Sequence, residues 1–277
     1  MNAETVKWRF LDTGKGNAIF NMAMDEAILS SVRSGVSPPV FRIYEWKSDA
    51  ITFGYSQNIL NIVDVEKCAS NGIEITRRLT GGRAVYHKNE LAYSVTGFID
   101  DERFGGTIAG TYRSISAVLA AGLNDRGIGA EITGEKTGAA VPRSRQPEPC
   151  FLTASKFEIT LDGKKIVGSA QRRFKNVFLQ QGSIITGPGS EKIADYMIDR
   201  DLADEYGKLL AERMIDLRSH SRGQFSETAL KDSLFDSFER AAGVTCEHGK
   251  PTCEELEHTK RLIEERYGSE GWVKNHG

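Results

Sequence analysis

No stretch of the 277-residue chain approaches about 18 consecutive apolar residues, so a transmembrane helix is not expected. The opening MNAETVKWRF lacks the basic start and apolar run of a signal peptide. Cysteine is scarce: Cys68, Cys150, Cys246 and Cys253 are too few for a disulfide framework. Reduced thiols and a cytoplasmic location are the expectation. Excess charge is missing as well. Lys and Arg number 36 against 38 Asp and Glu, a net charge of −2. Nucleic-acid and membrane partners are not expected, and affinity for an anion must come from a local patch. The GxxxxGK[ST] phosphate loop is absent. The two cysteines and two histidines of CEHGKPTCEELEH, residues 246–258, have the spacing of no standard zinc site. Cys253 and His258 would lie about 140° apart on one helix, so a metal site is not expected.

What is present is an ordinary globular composition, 39% hydrophobic and 27% charged. There is no internal repeat. One catalytic domain over 1–277 is expected, with a helical C-terminal part at 224–277. Asn21 is a candidate N-cap for a helix to Ser34, stopped by Gly35. VFRIYEW (40–46), AITFGY (50–55), IEITR (73–77) and LAYSVTGFI (91–99) read as strands, with a short helix near 63–70. A helix is predicted from Thr111 to Arg126. Residues 156–161 and 164–171 form a hairpin around Asp162-Gly163, a favoured type I′ turn. VFLQQGSIIT (177–186) adds a strand. Later helices start at Ser226, with a Phe225/Leu230 staple, and at a Thr252/Glu255 capping box. Strands and helices are interspersed without regular βαβ alternation. The expected class is therefore α/β (α+β), with a mixed, largely antiparallel central sheet flanked by helices.

Two stretches carry unusual chemistry. RRLTGGRAVYH (77–87) places Arg77 and Arg78 at a strand end, then Gly81-Gly82, Arg83 and His87. Glycines allow close backbone approach to a ligand, and arginines are planar, permanently charged donors. On pattern alone a hairpin turn with solvated basic residues would read the same way. GKKIVGSAQRR (163–173) has small residues, Gly168, Ser169 and Ala170, inside a strand, which leaves room against its face. Two-residue-turn pairing puts Lys165 on one face with Val167 and Ser169, and Lys164 on the other. Both lysines could equally be solvated turn residues.

The cysteines differ in setting. Cys68 falls in an apolar helical pattern and reads as core. Cys253 reads as the first residue of a helix. Cys150 follows TGEKTGAAVPRSRQPEP, a long Gly/Pro-rich stretch, with many cations near it in sequence. A nearby lysine or arginine raises the thiolate fraction, and a thiolate is a good acyl-transfer nucleophile. No histidine adjoins it, so a lysine is the expected helper.

Together these residues resemble the lipoate–protein ligase and octanoyltransferase (biotin/lipoate A/B protein ligase) superfamily. The likeness runs through FNMAMDEAIL, PPVFRIYEW, ITFGYSQN, RRLTGGRAVYH, LAYSV, DGKKIVGSAQRR and LQQGSIIT, nearly the whole chain. ATP-dependent members usually carry TGGGAVYHD and an Asn-Asp-type sequence before DGKK. This chain instead has Arg83 after Gly-Gly, Lys88 after His87, and Cys150-Phe151 ahead of the hairpin. That pattern resembles the LipM-type octanoyl-[acyl carrier protein]:protein N-octanoyltransferases. The resemblance implies Cys150 as nucleophile and Lys165 as its partner. It implies substrate contacts from the 77–87 stretch, Gly168 and Ser169, and a basic rim of Arg77, Arg78, Arg83, Arg172, Arg173 and Lys175. His87 would be structural or substrate-positioning. The donor would be octanoyl-acyl carrier protein, whose phosphopantetheine arm carries the acyl group. The acceptor would be a lysine of a lipoyl domain, such as the glycine cleavage H protein. No ATP, metal or other cofactor would be needed, and a monomer is expected. The alternatives on the same fold are an ATP-dependent lipoate ligase and an amidotransferase between lipoyl proteins; a different class is a non-catalytic carrier-binding protein.

Overall fold

Asn17, four residues ahead of the expected cap, starts the first helix. In the computed structural model, which describes residues 7–134, 157–221 and 224–274, its side chain accepts from the Phe20 amide at the head of a helix over Ala18–Arg33. Asn21 lies inside that helix, buried, donating to the carbonyls of Gly16 and Glu45. The helix ends where expected, at Ser34, with Gly35 at φ 75°. In chain order the elements are β1 (Lys7–Gly16), α1 (Ala18–Arg33), β2 (Val40–Trp46), β3 (Ala50–Phe53), α2 (Val65–Ser70), β4 (Glu74–Arg77) and β5 (Val85–His87). Then come β6 (Glu90–Phe98), α3 (Ile108–Asn124), β7 (Glu131–Ile132), β8 (Ile159–Leu161), β9 (Lys164–Phe174) and β10 (Val177–Ile185). The C-terminal part has α4 (Ile193–Tyr196), α5 (Arg200–Arg213), α6 (Leu217–His220), α7 (Glu227–Ala242), β11 (Thr245–Gly249), α8 (Cys253–Leu262) and α9 (Glu270–Lys274).

The main sheet has the order β11-β1-β2-β6-β10-β9-β8-β7. β1 runs parallel to both of its neighbours, and every other pair is antiparallel. The sheet is mixed and largely antiparallel, as the sequence predicts. Both faces are covered, which is why β2 reads as a nearly continuous apolar run. Phe41, Ile43, Tyr93 and Phe178 face α3 and α7, meeting Leu119, Leu234 and Phe238. Val40, Val177 and Leu179 face α1, meeting Met24, Ile28 and Val32. A second sheet, β4-β3-β5, buries Ile51 and Phe53 with Cys68, which is core as predicted.

Other expectations are amended by local chemistry. α3 begins at Thr107, whose side chain caps the Gly110 amide, a few residues before the predicted start. β8 is shorter than its sequence pattern because Phe157 sits at φ 64°, outside the extended region. β11 departs from the expected all-helical C-terminal part. Among its residues only Cys246 is buried, opposite Trp8 of β1, so there is no apolar alternation to read. The capping box does form. Glu255 and Thr252 exchange bonds of 2.8 and 3.1 Å, and Arg9 grips the same carboxylate at 2.7 and 2.9 Å.

Candidate active site

The Gly81-Gly82 turn joins β4 to β5 and is held from two sides. Arg78 donates through Nη1 to the Thr52 carbonyl and hydroxyl, at 2.9 and 2.6 Å. Through Nη2 it reaches the carbonyls of Gly81 and Arg83, at 3.0 and 2.9 Å. From below, Gly54 touches the turn so closely that a Cβ there would lie 2.0 Å from the Gly82 carbonyl oxygen. Gly82 itself has φ 90°, which suits glycine.

Facing this turn are the small residues of β9 and β10. Gly182 pairs with Ser169, and a Cβ at Gly182 would lie 2.5 Å from both the Gly168 carbonyl and the Tyr93 ring. The missing side chains open a cavity of about 310 Å³ between the turn and the two strands. Met22, Tyr44 and Trp46 add apolar walls. That volume is at the small end of the range for ligand sites. Of the described residues that the sequence nominates as catalytic or substrate-contacting, Arg77 alone does not line this cavity. Cys150 lies outside the described residues, as does Phe151.

Lys165 reaches the cavity by a route the sequence does not show. A bulge opposite Thr160 pairs Lys165 with Thr160 and Val167 with Ile159, so Lys165 and Val167 lie on opposite faces, not together. Lys165 is 8% exposed, and its Nζ is 2.6 Å from Glu158 Oε1. The Ile215 amide donates to its carbonyl and fixes the backbone there. Ser169 bonds the Tyr93 hydroxyl at 2.6 Å, and Gln180 donates to the same hydroxyl at 3.2 Å. Burial holds the Tyr93 phenol above its ordinary pKa, so it remains protonated in this network.

His87 is engaged at both nitrogens. Nδ1 is 2.6 Å from Glu90 Oε1 and Nε2 is 2.6 Å from Thr52 Oγ1, while Trp46 stacks on the ring at 4.0 Å. The carboxylate partner assigns a proton to Nδ1. Glu90 Oε1 also accepts from the Trp46 indole and the Ser183 hydroxyl, at 2.8 and 2.7 Å. One carboxylate oxygen thus orders three wall residues from three strands. Sequence reading missed Glu90, which looks like the polar start of a strand. Behind the wall, Asp25 accepts from Arg42 (2.6 Å), Ser94 (2.7 Å) and Gln181 (2.7 Å), and Gln181 accepts from Thr80 (2.8 Å). This ties α1 to the base of the Gly-Gly turn through fully buried groups.

The expected basic rim does not assemble. Arg77 is 1% exposed and donates to the carbonyls of Gly54, Tyr55, Gln57, Trp272 and Val273. It clamps the backbone of α9 to the loop after β3, pointing away from the cavity. Arg172 and Arg173 face opposite sides of β9, since alternate strand residues do. Arg172 lies 3.8 Å over the Tyr55 ring, while Arg173 donates to Gly106 and Thr111 beside α3. Lys175 is exposed in the turn beyond β9. Only Arg78 and Arg83 of the six reach the cavity.

In sequence, residues 17–239 match the lipoyl protein ligase A/B catalytic domain. The chain is 34% identical to octanoyltransferase LipM of Kyrpidia tusciae, over 96% of this chain and 97% of that protein. It is 31% identical to octanoyltransferase LipM of Macrococcus caseolyticus, over 97% and 98%. In structure it resembles the bipartite lipoate protein ligase of Thermoplasma acidophilum, with a TM-score of 0.79 at 23% identity over 97% and 96% of the two chains. The chain therefore belongs to the lipoyl protein ligase A/B catalytic-domain family.

Proposed function

We propose that this protein is an octanoyltransferase of lipoate biosynthesis that works through an acyl-enzyme on Cys150. The observation that carries the reading is its near-full-length likeness to octanoyltransferases LipM. The cavity supports it: one lysine, a glycine turn and small strand residues surround a space suited to a short acyl chain. The Cys150 thiolate attacks the carbonyl of an octanoyl thioester presented on acyl carrier protein. The carrier's thiol leaves, and the octanoyl group becomes a thioester of Cys150. The amine of a lipoyl-domain lysine then attacks that thioester, loses a proton and forms the amide, returning the thiolate. The Lys165 ammonium, held by Glu158, stabilises the thiolate and faces the carbonyl. Backbone amides of the Gly81-Gly82 turn or at Gly168 are the candidate donors to the oxyanion. One thioester replaces another in the first step, so no nucleotide and no metal is required.

The test is incubation of the protein with octanoyl-carrier and a lipoyl domain in the absence of ATP. Octanoylated lipoyl domain is expected. Strict dependence on ATP, with free octanoate as the substrate, would replace this reading with ligase chemistry on the same fold.

A further inference from the structure

The face of β9 that carries Gly168 and Ala170 continues past the acyl cavity to Arg172. A second cleft of about 190 Å³ opens there. Leu79, from the loop that bounds the first cavity, forms one wall. Tyr55, Phe174 and Trp272 supply aromatic surface. Arg33, Arg172 and Arg266 face the cleft, against a single acid, Glu26. Glu26 is already committed, since it pairs with Arg266 at 2.5 Å and accepts from the Tyr267 hydroxyl at 2.8 Å. Arg172 gives one N–H to the Leu79 carbonyl at 3.0 Å and has no acidic partner among the described residues. Its guanidinium carbon lies over two rings, 3.8 Å from the centroid of Tyr55 and 5.0 Å from that of Phe174. Arg33 is exposed in the last turn of α1, also with no acidic partner among the described residues. Two arginines thus confront an open cleft with no carboxylate of their own, one of them pre-oriented by stacking. A guanidinium so placed presents most of its donors to a tetrahedral oxyanion.

We propose that this cleft binds the phosphate ester of the acyl donor's phosphopantetheine arm. The inference rests on the octanoyltransferase reading and says where the donor lies. Gly168 and Arg172 are four residues apart on one strand, roughly 13 Å at about 3.3 Å per residue. An extended pantetheine chain spans a gap of that order. With the thioester beside Gly168 and Lys165, the arm runs past Leu79 and its phosphate meets Arg172, with the solvent-exposed Arg33 adding a second, more screened charge.

Two small donors that differ only by the phosphate test this: octanoyl-4′-phosphopantetheine and octanoyl-pantetheine. The quantity read is the ratio of their kcat/KM values, in the wild type, Arg172→Gln and Arg33→Gln. The wild type should favour the phosphorylated donor. Arg172→Gln should lower that ratio by about tenfold or more, the loss of a charge-assisted hydrogen bond. Arg33→Gln should lower it less. Equal losses on both donors would overturn the proposal, because Arg172 would then act only through Leu79. Calorimetric titration with the deacylated pair provides a readout independent of turnover. Tighter binding of phosphopantetheine than pantetheine, lost in Arg172→Gln, supports the cleft even if no octanoyl transfer is found, in which case the functional reading alone fails. Equal binding of the two in the wild type would overturn the cleft. Inorganic phosphate that displaces phosphopantetheine as effectively as unlabelled phosphopantetheine does would assign the site to free phosphate and also overturn it.

Discussion

Gly54→Ala is the sharpest test of how the Gly-Gly turn is held. A Cβ at Gly54 would sit 2.0 Å from the Gly82 carbonyl oxygen, 2.8 Å from its carbon and 3.0 Å from the Gly81 carbon. Such contacts do not occur below 3.0 Å, so the turn must retreat by at least about 1 Å. The alternative, a shift of Gly54, is opposed by its neighbours. The Gly54 amide donates to Gln57, its carbonyl accepts from Arg77, and β3 lies between β4 and β5. Overpacking of this kind costs about 1–3 kcal/mol, which lowers Tm by a few degrees to about ten. Misplacing a substrate-positioning element by about 1 Å costs roughly 100-fold in rate. The expected result is a folded protein, by circular dichroism, that transfers octanoate about 100-fold more slowly in single turnover. Gly81→Ala is the steric control. Its Cβ meets nothing within 4 Å, so Tm should stay within about 2 °C. A Gly54→Ala protein with wild-type Tm and more than about a third of the wild-type rate would refute the reasoning.

Two further outcomes follow from other buried groups. Asp25→Ala should destabilise the fold by about 3–5 kcal/mol in urea unfolding, because it strands the fully buried Arg42 charge; a loss under about 1 kcal/mol would contradict the pairing. Burial pushes the Cys68 thiol up to about 11 and Cys246 up to about 12. The folded state keeps these protons after the unfolded thiols release theirs near pH 9, so the stabilisation is complete below pH 9 and declines above it. Unfolding free energy should therefore fall more steeply between pH 8.5 and 10.5 in the wild type than in Cys68→Ala/Cys246→Ala, and equal slopes would contradict the assignment.

The two motif stretches were legible because each combines glycine with cations at a strand end, and the fold brings both to one cavity. What could not be read was direction. Arg77 and Arg78 are neighbours on an extended chain, so one must face the cavity and the other must not, and nothing local says which. The bulge that turns Lys165 inward depends on pairing with Thr160, a tertiary fact. Glu90 and Gly54 act through partners far away in sequence or through bare backbone contact. Their types carry no mark of that role, although Gly54 within ITFGYSQN could have been flagged as a strand-end glycine. Asn17 and Asn21 are both good caps by composition. The choice fell to Asn17 because the Asn21 side chain is taken up by Gly16, Glu45 and Arg42.

The central claim is that Cys150 carries the octanoyl group between donor and acceptor. Intact-mass spectrometry after mixing the protein with octanoyl-acyl carrier protein, without acceptor or ATP, tests it directly. Wild-type protein should gain the mass of one octanoyl group, removable by hydroxylamine and mapping to the peptide that contains Cys150. Cys150→Ala should gain none and should not transfer octanoate to a lipoyl domain. An adduct on any other residue, or transfer by Cys150→Ala at a rate near the wild type's, would contradict the account.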